Sequence, residues 1–334
     1  MQAIRTAIVG AGKMGGIHAK VCSKLADCQL VGIADVDAAR AEKLAREFNC
    51  DSFTDSRGLL GLVDAVTIAA STPHHYELAK LFIENQVPVM IEKPLAASVE
   101  EARAIVELGR KHGVVVAVGH SERCNPVVQA MKRLKIEPKF IEAVRISPFP
   151  FRSMEVSVVL DVMIHDIDIV LSLANSPIAS VDAVGVNVIA DYEDICSARI
   201  RFANGCVANI TASRLAMKTE RKVRVFSRQA YLSLDFFKKE GMVIKTDPNV
   251  DVVRWIQEQR NNPEADFSGV NWTELLHIEN LQIENNEPLR IEQEAFLNAV
   301  RGTAARPEVT AEEGLAAMEC AEKILASVKE HKWE

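Results

Sequence analysis

The chain has no apolar run approaching the ~20 residues that a membrane-spanning helix needs, so no transmembrane segment is expected. It also lacks a basic stretch followed by a short apolar one near Met1, which argues against a secretory leader and for a cytoplasmic protein. Positive charge is in deficit, 39 Lys and Arg against 46 Asp and Glu, and the net −7 is spread rather than blocked. Neither nucleic acid nor an anionic membrane is therefore expected as a partner. Cysteine is present without a pattern: the seven are an odd number, scattered, with no Cys-x-x-Cys spacing. They read as reduced thiols, and neither a disulfide framework nor a metal site is expected. There is no internal repeat and no low-complexity tract. What remains is an ordinary globular composition, 48% hydrophobic and 25% charged, in a chain of 334 residues, long enough that two domains are expected.

The most informative stretch opens the chain. A strand, Thr6 to Gly10, runs into Gly10-Ala-Gly12-Lys13-Met14-Gly15 and then into a helix. Gly10 permits the tight turn, Gly12 admits close backbone approach to a pyrophosphate, and Gly15 allows the helix to pack against the strand. The helix N-terminus adds free N–H groups and the positive end of a dipole. The next strand, Leu30 to Ala34, ends in Asp35, twenty residues after Gly15, where a dinucleotide fold places the carboxylate that accepts both adenosine ribose hydroxyls.

Beyond Asp35 the alternation continues: helix 38–48, strand 64–70, helix 76–85, strand 87–91, helix 98–111 opened by the capping box Ser98-Val-Glu-Glu101 and stopped by Gly113, and strand 114–118. This predicts a parallel sheet covered by helices, an N-terminal Rossmann dinucleotide-binding domain over residues 1–120. From Lys139 the pattern changes to a strand (140–146), a helix (158–173) and several strands in succession, with a two-residue hairpin turn expected at Asn204-Gly205. Residues 261–269 read as an exposed loop, and two helices close the chain, the second opened by the capping box Thr310-Ala-Glu-Glu313. Residues 121–334 are thus expected to form a C-terminal α+β domain with an open, mostly antiparallel sheet, for substrate binding and oligomerisation. An exposed sheet face needs covering, which favours a homodimer or homotetramer.

Two further stretches carry chemistry. In Val158 to Ser172 a helix at 100° per residue aligns Asp161, His165, Asp168 and Ser172 in one stripe on an otherwise apolar cylinder. An imidazole with a carboxylate one turn away is how a general base is oriented, and a buried structural His–Asp network has the same signature; the residues alone leave both readings open. Glu92-Lys93-Pro94 follows a parallel strand at the carboxyl edge where α/β sheets bind ligands, with Pro94 a candidate for a cis bond. A lysine there can place positive charge beside a hydroxyl losing its proton; a solvated surface lysine is the bland alternative.

With Gly10 to Gly15, Asp35, the Ser71-Thr72-Pro73-His74-His75 loop, Glu92-Lys93-Pro94 and Asp161-x-x-x-His165-x-x-Asp168 in one chain, the sequence resembles the oxidoreductases typified by glucose–fructose oxidoreductase, inositol 2-dehydrogenase and rhizopine catabolism proteins. The resemblance covers essentially the whole chain. It implies a catalytic set of Lys93, Asp161 and His165 and NAD as cofactor, held by Gly10, Gly12, Lys13, Met14, Gly15, Asp35, Ser71, Thr72, Pro73, His75, Glu92 and Lys93. Substrate contacts are expected from Arg123, Asn125, Arg152, Asp161 and His165, with Arg145 and Arg214 as further candidates for a substrate phosphate.

Within the family, Gly119 to Pro126, Pro148-Phe-Pro150 with Arg152, and Glu287-Pro288-Leu289 look like the branch that oxidises the 3-hydroxyl of UDP-N-acetylglucosamine. Cys124 departs from the pattern, standing where relatives usually carry Phe, which changes the expected wall of the nicotinamide and sugar pocket. The resemblance implies an NAD-dependent dehydrogenase of a secondary sugar hydroxyl. An inositol or free-sugar dehydrogenase is the alternative, and a nonenzymatic NAD-binding regulator the alternative of another class; the latter would need Asp35 and the glycines but no base.

Overall fold

The computed structural model describes residues 3–149, 155–228, 230–246 and 276–331. These divide into two compact units, one of residues 1–125, 167–169 and 286–325, the other of residues 126–166, 170–285 and 326–334. The expectation of one boundary near residue 120 therefore omits the return of the chain: the closing helices count with the first unit through Leu325.

The first unit is built on a six-stranded parallel sheet in the order β3-β2-β1-β4-β5-β6, comprising β1 (Ile4–Val9), β2 (Cys28–Ala34), β3 (Asp51–Phe53), β4 (Ala65–Ile68), β5 (Val89–Glu92) and β6 (Val116–Gly119). All residues of β4, β5 and β6 are buried, as expected of strands covered on both faces. The covering helices are α1 (Lys13–Cys22), α2 (Ala38–Phe48), α3 (His75–Glu84) and α4 (Val99–His112). Their ends follow the local chemistry. Asp37 accepts the Ala39 and Arg40 N–H groups at the start of α2, and Ser98 accepts the Glu101 N–H at the start of α4, which Gly113 ends at φ +65°.

The second unit carries an eight-stranded sheet in the order β14-β13-β12-β11-β7-β10-β9-β8. Its strands are β7 (Phe140–Ile146), β8 (Ile178–Val186), β9 (Ile195–Phe202), β10 (Val207–Ser213), β11 (Glu220–Phe226), β12 (Ala230–Asp235), β13 (Glu240–Thr246) and β14 (Leu276–Asn280). The β7–β10 pair is parallel and the other described pairs are antiparallel. The unit also holds α5 (Pro126–Lys132) and most of α6 (Ile164–Ala174).

The β9–β10 turn differs from the expected two-residue form. Phe202 N–H donates to Cys206 O, three residues lie between them, and Gly205 is at φ +82° while Asn204 is absent from the positive-φ residues. Asn204 instead spends its side chain on the Ala174 carbonyl and the Cys206 N–H, so only Gly205 needs the left-handed conformation.

The closing helices are α7 (Pro288–Val300) and α8 (Ala311–Glu330). The capping box at Thr310 forms reciprocally: Thr310 Oγ1 accepts the Glu313 N–H at 3.3 Å and Glu313 Oε2 accepts the Thr310 N–H at 2.9 Å. Among the described residues no helix is long and apolar enough to cross a membrane. The expected loop 261–269 lies outside the described residues.

Candidate active site

A cavity of about 890 Å³ in the first unit is bordered by the carboxyl ends of β1, β2 and β4 and includes Gly10, Gly12, Asp35 and Ser71 in its lining. Gly10, at φ +105°, lies against the backbone of Ala69 and Ala70, and a Cβ on Gly15 would overlap the Gly10 carbonyl oxygen; a Cβ on Gly12 would meet nothing within 4 Å. The first and third glycines are thus fixed by packing, while the second leaves a bare backbone edge, a cradle suited to a pyrophosphate.

Asp35 Oδ2 accepts the Ala11 N–H at 2.7 Å and Oδ1 the Asp37 N–H at 2.9 Å, with Arg40 Nη2 at 3.7 Å. A carboxylate has about four acceptor sites, so capacity remains for ribose hydroxyls after both N–H groups are served. These residues fit a dinucleotide: Asp35 would hold the adenosine ribose, and Gly10, Gly12 and the start of α1 the pyrophosphate. Lys13 and Met14 lie exposed on the first turn of α1, and Ser71 and Pro73 are exposed and Thr72 half-buried just before α3.

The side chains of two cofactor candidates, His75 and Glu92, meet groups of the protein itself. His75 is 1% exposed, with Nδ1 2.9 Å from Pro94 O and Nε2 3.0 Å from Ala70 O; both ring nitrogens face backbone carbonyls, and the exposed His74 lines the cavity in its place. Glu92 is 8% exposed and faces inward. Its Oε1 lies 2.8 Å from Nε2 of the buried His18, and its Oε2 accepts the Lys93 N–H at 3.1 Å. Burial alone would raise this carboxyl; the His18 hydrogen bond and neighbouring positive charge outweigh it and hold the group below its ordinary value. Lys93 is half-buried at the end of β5, and the Lys93–Pro94 bond is cis.

Arg123, expected to meet substrate, is also turned to the interior: it is 3% exposed, donates through Nε to Asp168 Oδ2 at 2.8 Å and through Nη2 to Oδ1 at 2.5 Å, and lies 3.3 Å from Glu313. The buried Asp168 and the half-buried Glu313 pair with it in the interior of the first unit. Asn125 is 8% exposed and donates to Glu122 Oε2, and Cys124 is fully buried.

Around Glu92 and Asp168 the first unit holds polar groups that the sequence reading did not single out. Gln293 Nε2 lies 2.9 Å from His18 Nδ1 and donates to Thr67 Oγ1 at 3.1 Å. Glu292 is 4% exposed, and neither carboxyl oxygen has a hydrogen-bond partner among the described residues. Burial, then the charges of Glu92 and Asp168, push its carboxyl well above the ordinary range, in favour of the neutral form. His120, 1% exposed, is lowered chiefly by burial, against the attraction of Asp168.

In the second unit Asp161 lies within a π turn, Val159–Met163, that leads into α6 carrying His165; both residues are half-buried. The wider turn means that a stripe drawn at 100° per residue does not hold across residues 159–163. The phosphate candidates are committed within this unit. Arg145 donates to both oxygens of the buried Asp166 at 2.7 and 2.9 Å, and the fully buried Arg214 donates to Asp194 Oδ1 at 2.7 Å and to the Val156 carbonyl at 3.0 Å. Arg152 lies outside the described residues. Among the described residues no group of three or more His, Cys, Asp or Glu side chains is placed to hold a metal ion.

Comparison with known proteins matches residues 4–120 to an oxidoreductase family with an NAD-binding Rossmann fold, and residues 150–233 to the GFO/IDH/MocA C-terminal domain. A UDP-N-acetylglucosamine 3-dehydrogenase of Acidithiobacillus ferrooxidans is 36% identical over 234 residues, 70% of this chain and 74% of that protein. An inositol 2-dehydrogenase of Rhizobium meliloti is 28% identical over 64% of this chain and 69% of its own. A solved structure of the Acidithiobacillus ferrooxidans 3-dehydrogenase superposes with a TM-score of 0.87, at 29% identity over 99% of both chains. With the glycine turn, Asp35 and both sheets in place, the chain belongs to the GFO/IDH/MocA family of NAD-binding oxidoreductases.

Proposed function

We propose that the protein is an NAD-dependent dehydrogenase that oxidises a secondary hydroxyl of a nucleotide sugar, the 3-hydroxyl of UDP-N-acetylglucosamine or a close analogue. The observation that carries this reading is the 36% identity to the Acidithiobacillus ferrooxidans 3-dehydrogenase, joined to a fold likeness over 99% of both chains. The catalytic set in this reading is Lys93, Asp161 and His165. Support comes from their residue types in the family pattern, and from the π turn at Asp161, a distortion that recurs at functional sites.

NAD supplies the hydride acceptor when bound. His165 takes the proton of the substrate hydroxyl, Lys93 offsets the negative charge that develops on its oxygen, and Asp161 orients the imidazole. The working protein is a cytoplasmic homodimer or homotetramer in this reading. The half-exposed aromatic group of Phe140, Phe226 and Tyr231 on one face of the second unit's sheet, with ring centroids 5.8 and 4.8 Å apart, supports self-association.

The test is the rise of reduced-nicotinamide absorbance with UDP-sugars, free sugars and inositols in parallel. Turnover confined to UDP-sugars is the expected result; turnover confined to inositols or free sugars would move the substrate to the alternative suggested by the Rhizobium meliloti relative. NAD binding without turnover of any would make the protein a regulator. Lys93→Met should lower turnover by ~10²-fold or more and leave NAD binding intact; near wild-type activity would remove Lys93 from the set.

A further inference from the structure

Two buried side chains behind Lys93, His18 on α1 and Gln293 on α7, have no part in the dehydrogenase reading. They stand in a row of hydrogen bonds with the buried Thr67 of β4 and Glu92 of β5. Gln293 Nε2 lies 2.9 Å from His18 Nδ1 and 3.1 Å from Thr67 Oγ1, and His18 Nε2 lies 2.8 Å from Glu92 Oε1. The row ends at the lysine: Glu92 Oε2 accepts the Lys93 N–H at 3.1 Å. The closing stretch of the chain thus reaches α1 across 275 residues.

The donors and acceptors in this row select one tautomer. An amide nitrogen only donates, and the two hydrogens of Gln293 Nε2 have two takers, Thr67 Oγ1 and His18 Nδ1. Nδ1 accepts, so it carries no proton, and the single proton of the ring sits on Nε2, facing a carboxylate oxygen. The opposite tautomer would set N–H against N–H at Gln293 and a bare nitrogen against the lone pairs of Glu92, two repulsive contacts among side chains shut off from solvent. The carboxylate has little room to move away. Gly119 pairs with Glu92 across β5 and β6, and a Cβ there would come within 3.3 Å of Glu92 Cδ and Oε2. Glu92 is seated on the bare backbone of β6, one oxygen on His18 and the other on the Lys93 N–H.

We propose that His18 is a positioning residue for Lys93, set in its tautomer by Gln293. The amide keeps the ring neutral with its proton on Nε2, the ring orients the Glu92 carboxylate, and the carboxylate fixes the peptide plane from which the Lys93 side chain leaves. His18 is not among the residues that line the dinucleotide cavity, and it acts through Glu92. The proposal rests on the reading of Lys93 as the group beside the substrate hydroxyl. A lysine displaced by about 1 Å costs up to ~10²-fold in rate. The glycine turn and Asp35 are untouched by such a displacement, so the grip on the dinucleotide stays.

The test uses the full chain labelled with heavy nitrogen and begins without substrate. In long-range proton–nitrogen NMR spectra of wild type at neutral pH, His18 should show a bare Nδ1 and a protonated Nε2, and the Lys93 amide proton should resonate downfield, as a donor to a carboxylate does. Two variants separate the donor from the bulk of the ring. Glutamine carries its amide nitrogen near the place of histidine Nε2, so His18→Gln should keep the Lys93 amide shift and a kcat for UDP-N-acetylglucosamine with NAD close to wild type. His18→Leu fills the space without a donor; it should move the Lys93 amide upfield and lower kcat by about tenfold or more, with the dissociation constant of NAD unchanged. A protonated Nδ1 in wild type, a Lys93 amide shift indifferent to His18→Leu, or a His18→Gln variant as slow as His18→Leu would each overturn the proposal. The wild-type spectrum decides the tautomer even where His18→Leu folds poorly. Neither NMR reading depends on turnover, so an active Lys93→Met, which would remove Lys93 from catalysis, stays distinct from a failure of His18 to hold it.

Discussion

Glu292→Gln keeps the size of a buried side chain and removes its ionisable proton, so it tests directly whether the interior of the NAD-binding unit holds a neutral carboxylic acid. In the folded protein burial, then the charges of Glu92 and Asp168, raise the Glu292 carboxyl well above its ordinary value. In the unfolded chain the same group titrates near ~4.3. Above that pH the folded state keeps a proton that the unfolded chain releases. The stability this group contributes is therefore complete below the unfolded value and is lost as pH rises toward the folded one, at about 1.4 kcal/mol per pH unit. Glutamine has no such dependence. Urea unfolding followed by far-ultraviolet circular dichroism should show the free-energy difference between wild type and Glu292→Gln moving in the variant's favour as pH rises above the unfolded value, by at most about 1.4 kcal/mol per pH unit. Infrared difference spectra give a second readout: the carbonyl stretch of a protonated acid, present in wild type at about pH 6 and missing in the variant. Stability curves that stay parallel, with no such band, would refute the reasoning.

Gly15→Ala places a methyl group on the Gly10 carbonyl oxygen, a backbone atom that cannot rotate away, and should abolish NAD binding in a fluorescence titration where Gly12→Ala, facing open space, only weakens it. Asp35→Ser removes a carboxylate that would repel a 2′-phosphate and leaves Arg40 beside the site, so the ratio of NAD to NADP affinity should fall by about tenfold or more; an unchanged ratio would remove Asp35 from cofactor selection. Asp166→Ala removes the carboxylate that pairs with the buried Arg145 guanidinium and should cost about 3–5 kcal/mol in unfolding measurements, whereas changing both to apolar residues of similar volume should cost much less.

The NAD-binding unit was legible because its signals are local. A glycine turn, an acid at the end of β2, β-α alternation and two capping boxes each depend on residues within a few positions of one another. The second sheet was read less completely. β8 begins with Ile-Ala-Ser-Val-Asp, whose weak alternation gives little strand signal, and β14 forms the sheet edge by pairing with β13 alone.

Two expected site residues, Arg123 and Glu92, have internal partners that are distant in sequence. Arg123 meets Asp168 across 45 residues and Glu92 meets His18 across 74, separations that no local pattern encodes. Glu292 and Gln293 did leave a trace. They fill two positions of the stripe Leu289, Glu292, Gln293, Phe296 and Leu297, whose spacing is that of a helix's buried face, so polar residues there announce a polar interior.

The placement of His75 has a mechanical consequence. One imidazole ring spans from the Ala70 carbonyl, beside the lining of the dinucleotide cavity, to the Pro94 carbonyl, next to Lys93. The lining of the cavity and the segment bearing Lys93 are therefore bridged by this strut in the protein interior, whose N–H can donate to one carbonyl while the ring packs against the other. Shortening that strut would detune cofactor grip and lysine position together, as a slackened guy-rope shifts both things it is tied to.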